Sequence, residues 1–315
     1  MSYLFPKLMK VKKLLIWLLF FLVFISVFTD PAYSELSHDE YFIISYDKSD
    51  EKIAQDILQN FSKIVPEINR EVGFYDIPVI QLVLTHSQKE FDKYVTLGKL
   101  PENSIAMAIP MLSKIILQNP KTLPPHTEFY KVLTHEYLHI LLHSIALEVY
   151  LPLWFEEGFV QYYAKEWNIN REVQFVTDAL KGNVLDLQSY SYHYPKVKKK
   201  VEIFYLQSYY TFRYLLKRFD KEKYYQFIDH IQAGQNFETS FTKAFGISVQ
   251  SFLDAARKSI SSHSVLAILY SGFGLFWIII PILLLVSYMG KQRHRRKLEE
   301  EWEIEETEYI PNEGI

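Results

Sequence analysis

The sequence predicts an α+β fold with a small N-terminal sheet, a helical C-terminal half and one or two transmembrane helices. Strand-like runs are confined to residues 39–118, helical spacing of apolar residues prevails from Pro125 onward, and an apolar run lies near each end. A chain of 315 residues that is 49% hydrophobic is long enough to bury one or two cores. The domains we predict are a signal sequence or membrane anchor at 1–34, a folded domain at 35–262, a transmembrane helix at 264–290 and an acidic tail at 291–315.

The composition excludes several classes of protein. A formal net charge of −3 gives no basic surface of the kind that binds nucleic acid, so we expect no nucleic-acid partner. The chain has no cysteine, which excludes disulfides, metal sites built on thiolates and a cysteine nucleophile.

The N-terminal segment has the pattern of a signal sequence or an uncleaved anchor. Lysines between Lys7 and Lys13 precede an apolar run from Leu14 to Phe28, which is short for a helix that spans a bilayer. Ala32 and Ser34 are small residues at positions −3 and −1 of a cleavage site after Ser34. Cleavage and retention of this segment therefore stay open.

The C-terminal apolar run predicts a transmembrane helix. Val265 to Met289 contains no charged residue, and the basic stretch Lys291 to Lys297 follows at once. Because basic residues flank spanning helices on the cytoplasmic side, we expect a cytoplasmic C-terminus. Residues 35–262 are then expected at the cell membrane but outside the cytoplasm, in the periplasm or on the outer face.

The tail from Leu298 to Ile315 is rich in glutamate. Such a run is typical of a solvated, largely disordered end. The alternative is a docking segment for a cytoplasmic partner.

The front half of the folded domain alternates between strand and helix patterns. Pro66 is expected to kink or end the first helix, because proline lacks the N–H that a helix interior uses. The predicted order is a strand at Tyr41–Tyr46, an amphipathic helix from Glu51, a strand at Ile77–Thr85, a helix opened by the capping pattern at Ser87–Glu90, and two strands on either side of Pro110.

The back half is predicted to be helical almost throughout. Its helices are expected near 127–147, 152–167, 171–181, 200–219, 221–233, 236–245 and 248–261.

The stretch THEYLHILLH, Thr134 to His143, carries the strongest chemical signal. Residues four apart lie on one face of a helix, about 6 Å apart along its axis, so His135 and His139 can direct two imidazoles at one ion. Glu136 follows His135 and can lie beside that ion as a general base. This spacing predicts Zn²⁺ as the cofactor, with His135 and His139 as ligands.

His143 fits this metal site poorly. It lies two helical repeats of four from His135, about 12 Å along the axis, whereas zinc–nitrogen bonds are about 2 Å long. We therefore expect it to be a packed or surface histidine, and the third ligand must come from elsewhere.

The stretch LPLWFEEGFVQYYA, Leu151 to Ala164, resembles a segment of the gluzincin-type zinc metallopeptidases, the peptidase MA-like group distantly related to thermolysin and the neutral aminopeptidases. In that family a helix after the histidine helix carries W-x-x-E-G, matched here by Trp154, Glu157 and Gly158. The resemblance implies a thermolysin-like catalytic domain over roughly residues 38–261. It also implies that Glu157, rather than Glu156, is the third zinc ligand.

The same resemblance implies further site residues. The hairpin before the histidine helix would form the upper wall of the cleft, with an extended substrate bound along Ala106, Ala108 and Ile109. Tyr205 is similar in position to a tyrosine that stabilises the tetrahedral intermediate, with Tyr209 and Tyr210 as competing candidates.

Two departures from the family pattern bear on specificity. Gln161 stands where thermolysin-like enzymes place an aspartate that orients a ligand histidine, so that task is weaker here or falls to another residue. The G-A-M-E-N motif that grips a free amino terminus is replaced by SIAMAIP, which favours an endopeptidase.

The sequence thus predicts a membrane-anchored zinc-dependent peptidase that acts on a peptide or protein substrate, with Glu136 and Tyr205 as catalytic residues. The alternative is a zinc-binding, catalytically idle domain that serves as an anchored binding module or scaffold.

Overall fold

The computed structural model of the protein describes residues 35–308 except 75–76, 96–103, 124–127, 147–148 and 271. Of residue 95, residues 261–275 and residues 304–308 it describes the backbone only. The predicted signal sequence or anchor at 1–34 lies outside the described residues.

Five strands form one mixed sheet in the order β1-β2-β3-β5-β4. β2, β3 and β5 run parallel, whereas β1 and β4 pair antiparallel at the two edges. The antiparallel edge strand β4 is the one that borders the site described below. The strands are β1 (Glu35–His38), β2 (Phe42–Tyr46), β3 (Ile80–Thr85), β4 (Ala106–Ile109) and β5 (Lys114–Gln118).

The register of β4 decides which backbone groups it presents at the free edge. The carbonyl of Ile105 accepts a bond from Gln118 N at 3.0 Å, so residue 105 turns its polar backbone groups toward β5. Backbone groups alternate in direction along an antiparallel strand. Ala106 and Ala108 therefore direct theirs away from β5, toward the open side.

Eleven helices are seen in the described residues, and they dominate the chain after β5. They are α1 (Glu51–Asp56), α2 (Ser62–Val72), α3 (Gln88–Val95), α4 (Phe129–Ala146), α5 (Leu153–Tyr163), α6 (Ile169–Leu180), α7 (Lys198–Arg218), α8 (Lys221–Gln232), α9 (Phe237–Phe245), α10 (Val249–Tyr270) and α11 (Gly272–Glu308). The α+β arrangement with a front sheet and a helical back half is therefore confirmed.

Pro66 does not end the first helix. It lies inside α2, which continues to Val72 and stops at Gly73, a residue with a φ of 89°. A wider π-type turn, Ile57–Phe61, joins α1 to α2 just before it. Such a turn changes the hydrogen-bond register, which helps the helix to accommodate a residue without an N–H.

The main core lies between the sheet and the helices. One large cluster joins Ile44, Leu82 and Leu117 of the sheet to α4 and to the aromatic residues of the C-terminal helices. Trp154 is fully buried there and packs at 5.8 Å against Phe155 and at 6.1 Å against Phe237, measured between ring centroids. This packing anchors α5, one of the two helices of the site, against α9.

The prediction of a transmembrane helix at 264–290 is wrong. In the part of the chain that the structure describes, no helix combines the length and the apolar character that crossing a membrane requires.

The acidic tail is more ordered than the sequence predicts. α11 runs through the basic stretch and on to Glu308. Within it, Arg295 Nε lies 3.1 Å from Glu299 Oε1, four residues later. Pairs at this spacing support an exposed helix.

Candidate metal centre

Helix α4 places two histidines side by side. His135 and His139 share one face, and their Nε2 atoms are 3.2 Å apart. Helix α4 is held in the core by Leu138 and Leu141, which are fully buried. The helix spacing in the sequence therefore predicted this pair correctly.

Helix α5 brings Glu157 to the same place. The side chain is 2% exposed, and its Oε2 lies 4.0 Å from His135 Nε2. One ligand atom each from His135, His139 and Glu157 can be chosen so that all lie within 4.8 Å of one another. Separations of this size suit the ligands of a single tetrahedral ion, whose bonds are about 2 Å.

Gly158 explains how α5 comes so close to α7. A Cβ atom at this position would lie 2.4 Å from the backbone oxygen of Ser208 and 2.7 Å from Phe212 Cβ. Only glycine fits such a contact. The glycine of the W-x-x-E-G pattern therefore sets the helix packing that positions Glu157.

One observation above all indicates that these three side chains suit a bound cation. Glu157 Oε2 is buried and has no hydrogen-bond partner. Burial raises the pKa of this carboxyl, although the nearby histidines act in the opposite direction. An unpaired buried carboxylate oxygen is costly unless a positive charge compensates it.

The outward ring nitrogens of both histidines bind carboxylates. His135 Nδ1 lies 2.6 Å from Glu166 Oε1, and His139 Nδ1 lies 2.9 Å from Glu156 Oε1. A carboxylate on Nδ1 fixes the ring orientation and leaves Nε2 for a metal. Sequence reasoning did not find these two partners.

These carboxylates also change the proton affinity of the histidines. Burial alone would lower the pKa of His139, but the bond to Glu156 and its charge raise it to about 10. For His135, burial likewise lowers the pKa and Glu166 more than offsets that effect. A metal ion that binds these rings must therefore compete with protons, most strongly at His139.

Glu166 is itself held by Arg171. The guanidinium Nη2 lies 3.1 Å from Glu166 Oε2, and Nη1 donates to Gln161 Oε1 at 2.8 Å. Gln161, the position expected to orient a histidine, instead donates to the backbone oxygen of Tyr205. Glu166, rather than the residue at position 161, is therefore the side chain that orients His135.

His143 does not join the three-residue cluster. Its Nε2 lies 2.9 Å from Glu156 Oε1, the same oxygen that binds His139. Burial alone would raise the pKa of Glu156, but these two histidines hold it well below the usual range. His143 is therefore a partly exposed residue of the cleft wall that binds Glu156, the carboxylate partner of His139.

Comparison with protein families agrees with this arrangement. Residues 128–262 match the family model of the Peptidase MA superfamily. The match begins at the start of α4, ends within α10 and includes all three members of the histidine–glutamate cluster. No curated protein matches the chain.

The cluster of His135, His139 and Glu157 lies in a cleft of about 750 Å³. Its upper wall is the free edge of β4, where Ala106 and Ala108 line the cleft. Ile109 does not line it, because its side chain packs with Phe91 and Met107 beneath the sheet edge. Of the three residues expected to contact the substrate, Ala106 and Ala108 therefore line the cleft and Ile109 does not.

Glu136 bridges the metal cluster and the sheet. Its Oε2 accepts a hydrogen bond from Ala108 N at 2.6 Å. The side chain lines the same cleft as the three candidate ligands. This carboxylate lies beside the candidate ligands, where a general base is needed, and next to the strand expected to bind a peptide.

The three candidate tyrosines differ in their surroundings. Tyr205 lines the cleft. Tyr209 stacks on Trp167 at 4.2 Å between ring centroids, and the hydroxyl of Tyr210 lies 3.2 Å from Ser259 Oγ. Burial, then the charges of Glu157 and Glu136, raise the pKa of Tyr205, so its hydroxyl stays protonated and can donate.

Tyr194 is a further cleft residue that the sequence did not single out. Its hydroxyl donates to Glu157 Oε1 at 2.5 Å. It comes from the segment before α7, and no periodicity or motif marks it.

Proposed function

We propose that this protein is a zinc-dependent endopeptidase. The observation that carries the proposal is the buried, unpartnered Oε2 of Glu157, which faces the Nε2 side of two histidines in an open cleft. Peptidases of this superfamily are typically metal-dependent. Three ligands from the chain leave a fourth position open, as catalytic zinc sites require.

The metal would be held by His135, His139 and Glu157. When bound there, zinc lowers the pKa of a water toward neutrality and polarises the carbonyl that is attacked. The chain supplies the remaining steps through its own side chains.

Glu136 acts as the general base and then the general acid. It accepts a proton from the attacking water and passes it to the leaving amine of the peptide bond. The hydroxyl of Tyr205 donates a hydrogen bond to the carbonyl oxygen as negative charge develops on it. The protonated state of Tyr205 described above suits this task.

The substrate proposed is an extended stretch of a peptide or protein. The free edge of β4 offers backbone groups at Ala106 and Ala108, and such edges bind peptides as an added strand. Both side chains are single methyl groups, so a peptide backbone can come close. Position 108 carries no acidic side chain to bind a free amino terminus, which favours internal cleavage.

Replacing Glu136 with glutamine tests the proposal. Glu136→Gln should keep the zinc content of the wild type and lose cleavage by about 100-fold or more, because only the proton transfer is removed. Zinc is measured by elemental analysis, and cleavage by mass spectrometry on a mixture of unstructured peptides. The mixture also shows whether the cuts are internal.

Glu128→Gln is the matched control, since Glu128 pairs with Lys131 at 2.6 Å and does not line the cleft. Glu136→Gln with wild-type turnover would refute the assigned base. A wild type that binds zinc at one ion per chain and cuts no peptide in the mixture would favour the catalytically idle binding module.

A further inference from the structure

We infer that Tyr194 is a positioning residue that selects which oxygen of Glu157 meets the metal. The inference rests on the proposed metal centre. It assigns to Tyr194 a role distinct from that of Tyr205, although the two rings are neighbours, 6.0 Å apart between centroids.

The two oxygens of Glu157 have opposite environments. Oε1 accepts the hydroxyl of Tyr194 at 2.5 Å. Oε2 has no partner and lies 4.0 Å from His135 Nε2. A hydrogen bond from a hydroxyl to a carboxylate is among the stronger kinds, so it holds Oε1 beside Tyr194 and uses one lone pair of that oxygen.

This difference sets the coordination number. A carboxylate with both oxygens available can bind a metal in two ways, through one atom or through both. With Oε1 held by Tyr194, Glu157 binds through Oε2 alone. The site then keeps a position open for water and substrate, as a four-coordinate catalytic site must.

The hydroxyl of Tyr194 is fixed by packing. The ring lies edge-on to Phe204 of α7, with centroids 5.8 Å apart. It is one of the side chains packed against the main core. Because the ring is held from behind, removing the hydroxyl alone should leave the fold intact and free Oε1.

The test compares Co²⁺ binding to the full-length apo chain in wild type, Tyr194→Phe and Tyr205→Phe. Affinity is measured by competition with a chelator. The visible absorption of the bound Co²⁺ reports coordination number, since four-coordinate Co²⁺ absorbs more strongly than five- or six-coordinate Co²⁺. Circular dichroism and thermal unfolding of the apo proteins check that each variant folds.

We expect Tyr194→Phe to bind Co²⁺ about 10 to 100 times more weakly than the wild type. This is the usual effect of removing a hydrogen-bond partner of a metal-ligating side chain. Its absorption per bound ion should fall as Glu157 gains a second contact. Tyr205→Phe should keep both the affinity and the spectrum and lose only turnover.

A folded Tyr194→Phe with the affinity and spectrum of the wild type would overturn the inference while leaving the metal centre intact. The same changes in Tyr205→Phe would also overturn it, because the effect would then not belong to Tyr194. A folded wild type that binds no Co²⁺ would instead refute the proposed metal centre, and this inference with it.

Discussion

Replacing Glu166 with glutamine should weaken metal binding without removing any ligand. Glu166 Oε1 lies 2.6 Å from His135 Nδ1, and the side chain is 16% exposed, so the bond is charge-assisted and largely shielded. A hydrogen bond to a charged group contributes about 1.5–3 kcal/mol, and a neutral one about 0.5–1.5 kcal/mol. Glu166→Gln keeps an acceptor of the same shape and loses the charge, a difference of about 1–1.5 kcal/mol.

Since 1.4 kcal/mol corresponds to a factor of ten, the zinc Kd of Glu166→Gln should rise about tenfold. The assay is competition with a chelator at fixed pH. Glu172→Gln is the control, because Glu172 binds the Trp167 Nε1 at 2.6 Å rather than a ligand histidine. Equal Kd values for Glu166→Gln and wild type, or an equal loss in the control, would refute the view that Glu166 orients His135.

Two further predictions concern packing and pH. Gly158→Ala should lower the free energy of unfolding by at least about 1–3 kcal/mol and reduce zinc binding, because its Cβ would meet the backbone oxygen of Ser208 at 2.4 Å and push α5 away from α7. Thermal unfolding measures the first effect and zinc analysis the second. Wild-type values in both would contradict the packing argument. Zinc affinity should fall as pH decreases below the raised pKa of His139, about 10, because the metal binds the neutral ring and must displace its proton. A zinc affinity that does not change between pH 6 and pH 8 would contradict this prediction.

The three candidate ligands were predictable because each lies within a short local pattern. His135 and His139 need only helical spacing, and Glu157 is marked by the tryptophan and glycine around it. Most helices and strands of the folded region were predictable for the same reason, since each repeats its apolar residues with its own period.

Glu166 and Tyr194 were not predictable in this way. Glu166 is 31 residues from His135, and Tyr194 is 37 residues from Glu157. Their roles depend on how α5, the segment after it and α7 pack in three dimensions. Strand β1 was missed because its sequence, ELSH, lacks the β-branched and aromatic residues that mark strands.

The C-terminal segment shows the opposite failure, an apolar pattern read too simply. Composition identified an uncharged run, but no helix in the described residues has the length and apolar character that a membrane span requires. Nor did the acidic character of the tail predict its helix. Hydrogen bonds and ion pairs between residues four apart, such as that of Arg295 with Glu299, are compatible with a highly charged sequence.

The bond between Ala108 N and Glu136 connects substrate binding to the base. Ala108 directs its N–H to the open edge of β4, where a carbonyl of an added peptide strand would bind, yet Glu136 Oε2 already accepts from it at 2.6 Å. A substrate carbonyl at that position must displace the carboxylate. Glu136 would then be released toward the cleft only when a peptide backbone occupies the edge. If the proposed function holds, the sheet edge would both bind the substrate and hold the base in reserve until the substrate arrives.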